Sequence, residues 1–396
     1  MIRRQHVVSD FFPESEAMRE ALDKGFKNSY ERNVSWHYFC VPQLYTYLRT
    51  SPQEGIPEAM YTRFMQHLRH WCMENLGQVP IGTPWLHLMV NGCRLELHSD
   101  FQNGTWGYVY SLTRWQNRTF SGGETLLMRD GIPSYRKHHV QGDVLYDLIP
   151  AQFNQLLVFD DRIVHGTPVI EGSMNPLEGR IALVGHLRAT SPVVSGPLSA
   201  VTARAVVQDV LPRLADQIKE YKDVQGTITF RLTIGSSGAV ESLTALTDNI
   251  ITPVTGYEPS EEVTAVKSII QQTLSALRFP AARGESSIIV PVLVPLPDLH
   301  PIEIAVPHEL PREALTKWAL ARLKNGEPLG LQGSWEGETF LVKEPIAGNL
   351  RIEPRRLVIA FDAPMWVPSQ RDKFQMRLAQ QLKTALADAA RNVARL

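Results

Sequence analysis

The hydrophobic period of the chain changes near residue 77, and no other feature limits its fold as much. Upstream, Pro13 sits where a first helical turn tolerates proline, and Met18, Leu22 and Phe26 recur every four residues. That spacing predicts an amphipathic helix over 14–27. Met60, Phe64, Leu68 and Trp71 form one stripe of a second helix over 57–76. Downstream, short β-rich runs at 85–90, 94–97, 107–113, 125–128, 156–159 and 181–187 are separated by turn residues such as Asn91-Gly92, Gly122-Gly123 and Asp160-Asp161. Several short strands behind a helical cap predict a sandwich or jelly roll.

A chain of 396 residues exceeds one ordinary core and predicts two or three domains. A Ser-, Pro- and Val-rich stretch at 191–197 reads as a linker, and a helix follows from about residue 201. Ile228, Phe230, Leu232 and Ile234 then alternate with Thr227, Thr229, Arg231 and Thr233, which predicts a strand with one wet face. A turn at Gly235-Ser236-Ser237-Gly238, a strand over 240–247, a helix carrying Val263, Val266, Ile270, Leu274 and Leu277, and a strand over 287–294 complete a ββαβ unit. Pro291, Pro295, Pro297, Pro301, Pro307 and Pro311 read as a stiff, extended connector. Beyond it, helix 312–324, strands near 339–342 and 357–361, and a final helix with Phe374, Leu378, Leu382, Ala385, Ala389 and Val393 on one face form a third piece. The expected class is α+β, divided into domains at 1–190, 200–297 and 308–396.

Forty basic and forty-one acidic residues leave a net charge of −1, so no overall field draws the protein to nucleic acid or an anionic membrane. Three cysteines without a close pair argue against a disulfide framework and for a reducing compartment. No apolar run has the length of a signal-peptide core at the N-terminus or of a membrane span elsewhere, and the expected location is cytoplasmic.

The stretch Arg94-Leu95-Glu96-Leu97-His98-Ser99-Asp100, with Leu156-Leu157-Val158-Phe159-Asp160-Asp161 leading to His165, carries the chemistry. Two imidazoles and a carboxylate on one side of a metal leave positions open, an arrangement suited to non-haem iron(II) that binds a cosubstrate and dioxygen together. On a strand entering a turn, His98 and Asp100 are two apart and reach the same side, and His165 supplies a third ligand from a distant strand.

The ordered set His98-x-Asp100, Gly122-Gly123-Glu124-Thr125, His165-Gly166 and Arg180 opening a strand resembles the prolyl-hydroxylase-like branch of the 2-oxoglutarate oxygenases. The resemblance covers about residues 1–190 and begins at Val7-Val8-Ser9-Asp10-Phe11-Phe12. It implies a double-stranded β-helix, or jelly roll, with a helical cap. It implies Fe(II) on His98, Asp100 and His165, 2-oxoglutarate and dioxygen as cosubstrates, ascorbate as a reductant, and Arg180 on the distal carboxylate of 2-oxoglutarate as a bidentate pair. Tyr108 or Tyr110 would add a hydroxyl donor. Ala182 departs from the family, standing where a hydroxyl residue is often found. Asp100 keeps the carboxylate that halide-transferring relatives lack, so hydroxylation is the expected outcome. Arg94 and Glu96, expected on the face of His98, point toward the metal, with Arg94 a candidate for a substrate carboxylate and Trp106 for a pocket wall. His138-His139 and His186 read as structural histidines.

Residues 224–294 are similar to the C-terminal domain of the periplasmic energy transducer TonB, which implies a small sheet with an exposed edge for a protein partner or self-association. The substrate expected for the whole chain is a small molecule or a peptide, with neither nucleic acid nor membrane as partner. A different class, a non-catalytic metal-binding jelly roll that senses or binds, predicts no 2-oxoglutarate turnover on any substrate panel.

Overall fold

Met18, Arg19 and Leu22 lie on the buried side of the first helix, α1 (Ser15–Lys27), with Glu16 in its first turn and Lys24 and Lys27 in its last, where each charge complements the helix dipole. The computed structural model describes residues 1–27, 34–129, 145–297, 302–323, 331–336, 339–344, 347–362 and 368–393. His138-His139 lies outside them. Before and after α1 come the strands β1 (Gln5–Val8), β2 (His37–Val41) and β3 (Tyr45–Thr50). The short α2 (Pro52–Gly55) leads into α3 (Glu58–Leu76), which buries Tyr61, Phe64, Leu68, Cys72 and Leu76. Gly77 ends α3 in the left-handed conformation at φ 62°, its N–H donating to the carbonyls of Cys72 and Met73.

Nine strands follow: β4 (Gln78–Pro80), β5 (Trp85–Met89), β6 (Arg94–His98), β7 (Trp106–Ser111), β8 (Thr125–Met128), β9 (Tyr146–Ile149), β10 (Gln155–Asp160), β11 (His165–Thr167) and β12 (Arg180–Ala189). They build a curled antiparallel sheet in the order β1-β10-β7-β12-β5-β3-β6-β11-β8-β9, with β2 on β3 and β4 on β12. From β5 to β8 the chain steps between the two halves of this order, so successive strands alternate sides. The Asp100 N–H donates to the Asp161 carbonyl at 3.0 Å and ties the end of β6 to the end of β10.

The inner strands β7 and β10 have two buried faces. On β7, Trp106, Tyr108 and Tyr110 join the core that includes Phe64 and Leu68 of α3. Val109, on the opposite face, packs with Leu127, Leu157, Phe159, Ile149 and Ile163 in a smaller interior cluster. Leu156 and Val158 of β10 belong to the helix side, and Leu157 and Phe159 to the interior. Period-two alternation therefore separates a packing face from a face that lines the curl.

One compact unit comprises Met1–Arg188, Tyr221–Thr229 and Ala245–Ser268. Its later segments are pinned by Arg162, whose guanidinium reaches the carbonyls of Gln225 at 3.2 Å and Asn249 at 2.5 Å while pairing with the buried Asp160 at 2.5 Å. Tyr257 donates its hydroxyl to the same carboxylate at 2.5 Å. Arg162→Ala leaves that carboxylate buried without the Nε and Nη2 donors and with no counter-charge, and is expected to cost about 3–5 kcal/mol. Urea unfolding of the two proteins measures it, and a loss below about 1 kcal/mol would show the network to be dispensable.

The other unit comprises Ala189–Glu220, Phe230–Thr244 and Ile269–Leu396. Its chain begins with β13 (Val193–Ser195) and α4 (Ala200–Ile218), whose first turn is capped by the Ser199 hydroxyl accepting from the Thr202 N–H. Along the chain then come β14 (Gly226–Ile234), β15 (Val240–Asp248), α5 (Glu261–Ser275) and β16 (Ser286–Val294), of which Gly226–Thr229, Ala245–Asp248 and Glu261–Ser268 belong to the first unit; the strand order is β13-β16-β14-β15. The wet face expected on β14 holds at Arg231 and Thr233 but not at Thr227 and Thr229, which are buried. The Thr229 hydroxyl explains the difference, since it donates to the Leu76 carbonyl at the end of α3 at 2.7 Å.

The extended proline connector is also corrected: Pro291 lies inside β16, and Pro307 ends a further strand, β17 (Ile302–Pro307). Proline removes a donor but not an acceptor, so both are tolerated in these strands. After α6 (Arg312–Leu323) come β18 (Gln332–Glu336), β19 (Thr339–Glu344), β20 (Gly348–Ile352) and β21 (Arg356–Phe361), then α7 (Pro368–Val393). The last sheet is ordered β17-β21-β20-β19-β18. No described helix is long and apolar enough to cross a membrane, and Cys40, Cys72 and Cys93 are free thiols.

Candidate metal centre

Antiparallel pairing of β11 with β6 sets His165 opposite His98, with ring centroids 4.4 Å apart. Each imidazole is tethered the same way. His98 Nδ1 lies 2.7 Å from the Glu96 carbonyl and His165 Nδ1 2.8 Å from the Ile163 carbonyl. A ring nitrogen held by a carbonyl carries a proton, so Nε2 is the atom of each ring that would give its lone pair to a metal, releasing any proton it shares with Asp100. Both Nε2 atoms face Asp100 Oδ2, at 3.7 Å from His98 and 3.4 Å from His165. The three donor atoms lie within 4.8 Å of one another. Two imidazole lone pairs and a carboxylate on one small volume are the donor set of a three-ligand transition-metal site, so these residues suit a ferrous ion.

Electrostatics follow the crowding. Burial opposes charge on Asp100, but its hydrogen bonds with His165 and His98 override that and hold its carboxyl far below the usual carboxylate range. Burial pulls the His98 value down, yet Asp100 and the Glu96 carbonyl bring it out above the ordinary imidazole range. Asp161, entirely buried, is pushed up to about 6 by desolvation against the pull of His186.

Arg180, the first residue of β12, shares the interior face. Its neighbour two residues on, Ala182, pairs with Ser111, and Val184 pairs with Val109 of the interior cluster. The guanidinium is 2% exposed; Nε donates to the Gly123 carbonyl at 2.8 Å, Nη2 reaches the Thr125 hydroxyl at 3.4 Å and Nη1 lies 3.6 Å from Met89 Sδ. Gly122 and Gly123 have φ of +74° and +81°, and a Cβ on Gly122 would lie 2.0 Å from the Val169 carbonyl. The glycine pair thus turns a carbonyl onto Arg180 where other residues would be strained. Among the described residues no carboxylate forms an ion pair with Arg180. Thr125 is two residues along β8 from Leu127, which pairs with His165, a separation of about 7 Å.

Other expected site residues are placed elsewhere. Tyr108, Tyr110 and Trp106 are two apart in sequence, so they share one face of β7, and that face meets the helices. The Tyr110 hydroxyl donates to Asn154 Oδ1 at 2.9 Å and its ring packs on Phe64 at 4.7 Å. Neither tyrosine nor Trp106 is brought to the His98–Asp100–His165 group. Arg94 is paired with Glu96 at 2.8 Å and is about half exposed. The cause is a bulge: Leu95 pairs with Thr167 but His98 with His165, so β6 uses three steps where β11 uses two and the expected common face is lost.

His186, read from the sequence as a structural histidine, stands here too, along with residues that sequence reasoning missed. His186 Nδ1 bonds Asp161 Oδ2 at 2.9 Å, and its Nε2 lies 4.0 Å from Asp100 Oδ2. The Tyr45 ring lies 5.0 Å from His98 and the Tyr47 ring 4.4 Å from His87. The period of β5 alone could have separated His87 from Leu86 and Leu88, but only the register reveals its neighbours.

No family model matches the chain, and no curated protein matches it. Solved structures do. A prolyl-4-hydroxylase from Pseudomonas putida is 17% identical over 47% of this chain and 92% of its own, with a TM-score of 0.34. A prolyl hydroxylase from Trichoplax adhaerens, solved with a hypoxia inducible factor peptide fragment, is 14% identical over 46% and 82%, with a TM-score of 0.33. A 2OG-Fe(II) oxygenase family protein from Burkholderia pseudomallei is 13% identical over 46% and 83%, with a TM-score of 0.32. At that level of likeness, the chemistry of this chain rests on its own side chains.

Proposed function

We propose that the chain is an Fe(II)- and 2-oxoglutarate-dependent oxygenase built on a double-stranded β-helix, hydroxylating an unactivated C–H bond of an amino acid, a peptide or a specialised metabolite. The observation that carries this reading is Arg180, a buried guanidinium in no ion pair among the described residues and acted on by Glu124 only through space, on the interior face that also holds the three metal donors. A buried cation demands an anion, and a dicarboxylate reaching from the metal supplies one. His98, Asp100 and His165 would hold the ferrous ion, and Arg180 would take the distal carboxylate with Thr125 beside it. Bound iron with dioxygen and 2-oxoglutarate supplies the oxidising chemistry, releasing succinate and carbon dioxide.

The protein's own work is positional. Carbonyl tethers from Glu96 and Ile163 fix the two imidazoles so that little reorganisation accompanies metal binding. The Leu127, Leu157 and Phe159 cluster, with Phe159 4.7 Å from His165, keeps water from one side of the centre. The domain division at 1–190, 200–297 and 308–396 and the TonB-like character of 224–294 belong to the same proposal. The ββαβ order and the position of β15 at the end of its sheet, where among the described residues Ile2 bridges Thr247 near the end of the strand, support an accessory unit that binds a partner or pairs with itself.

Anaerobic addition of Fe(II) and 2-oxoglutarate tests the reading. A weak visible charge-transfer band that needs both additions is expected, with succinate release once oxygen and substrate are admitted. Metal binding without any effect of 2-oxoglutarate would reject it in favour of a binding module.

A further inference from the structure

His87 lies on the same interior face as Arg180, one register step away: on the β5–β12 ladder, His87 pairs with Ala182 and Met89 with Arg180. It is 6% exposed, and among the described residues it has no hydrogen-bond partner. Its ring contact is Tyr47, 4.4 Å away. On the other side of β5, Arg49 pairs with His87 in register and stacks over Phe39 and Trp85 at 4.0 and 4.4 Å. Burial, then the guanidiniums of Arg180 and Arg49, push the imidazole down to about 3, so it is neutral at ordinary pH. A neutral imidazole carries one N–H donor, and since neither ring nitrogen of His87 is among the fully buried unpaired atoms, that donor opens onto accessible space instead of a protein acceptor. Ala182, directly opposite, contributes neither donor nor bulk.

Resting on the oxygenase reading, we propose that His87 donates its N–H to the same distal carboxylate that Arg180 holds, and so is the second donor that Ala182 does not provide. Two independent observations meet at one place: among the described residues, a cation in no ion pair and a donor without a protein acceptor. One carboxylate satisfies both, because its two oxygens take a guanidinium edge and an imidazole N–H together. A neutral donor also sits beside two guanidiniums without repulsion. A lysine in its place would add a third positive charge.

Calorimetric titration of the full-length Mn(II)-loaded protein, which does not turn over, tests this with 2-oxoglutarate and with 2-oxobutyrate, which lacks the distal carboxylate. His87→Phe keeps a ring against Tyr47 and removes the donor, and His87→Asn keeps a donor. Losing one hydrogen bond to a charged group weakens 2-oxoglutarate binding about tenfold in His87→Phe. His87→Asn recovers most of that loss, and 2-oxobutyrate affinity is the same in all three proteins. Unchanged 2-oxoglutarate affinity in His87→Phe overturns the proposal, as does an equal loss for both keto acids, which marks a ring that merely fills space. A wild-type protein that takes Mn(II) but no 2-oxoglutarate removes the oxygenase reading itself, and this one with it.

Discussion

His165→Ala is expected to lose the Fe(II)–2-oxoglutarate band and to bind divalent metal more than about 100-fold more weakly, since changing groups that only support a ligand already costs 10- to 100-fold. The effect is large because the two remaining donors come from one segment. His98 and Asp100 are joined by a single residue, and His165 is the donor that crosses from β11 to β6. Without it, a metal has two ligands on one side and open volume on the other. The substitution also frees the Ile163 carbonyl, which His165 Nδ1 holds at 2.8 Å, and opens space beside Phe159, so a fold penalty of about 1–2 kcal/mol accompanies it. Far-UV circular dichroism separates the two effects. A variant that stays folded and still binds Fe(II) and 2-oxoglutarate like the parent would remove His165 from the centre.

The parts of this molecule that could be read from sequence are those where one segment decides its own structure. Met18, Leu22 and Phe26 mark α1 to within a residue, and the stripe through Phe64 and Leu68 marks α3. The strands from β5 to β8 also fall where short β-rich runs meet turn residues. The hairpin of β2 and β3 escaped, because Trp36 to Val41 and Tyr45 to Thr50 show no clean alternation and no glycine turn between them. Side-chain direction was harder still. His98, Asp100, His165 and Arg180 are legible as an ordered motif, whereas the face of Arg94 is not, because a bulge is invisible until two strands are paired. Tyr108 and Tyr110 needed the knowledge that β7 is buried on both sides, one against helices and one inside the curl. His87 and Asp161 needed register and tertiary contact, which no local pattern encodes.

Arg180→Met is expected to move stability and ligand binding in opposite directions. The wild-type guanidinium is buried against one good acceptor, Gly123 at 2.8 Å, and two weak ones. Desolvation drags it down to about 10 from an ordinary 12.5. Because the folded value lies below the unfolded one, the penalty is complete at every pH below about 10 and vanishes above about 12.5. That shift corresponds to a cost on the order of 3 kcal/mol carried by the ligand-free fold. Methionine fills the channel beside Met89 without the charge and loses one real hydrogen bond, so a net gain of about 1–2 kcal/mol remains. Thermal unfolding should therefore rise by about 2–8 °C in the variant without ligand. Saturating 2-oxoglutarate with Mn(II) raises the wild-type midpoint but leaves the variant where metal alone puts it, since a bidentate charged contact is worth at least about 100-fold in affinity. A structural arginine behaves the other way: its removal lowers the midpoint and leaves the ligand response intact. The sign of the first change and the presence of the second thus decide whether the guanidinium is held for the fold or for an anion.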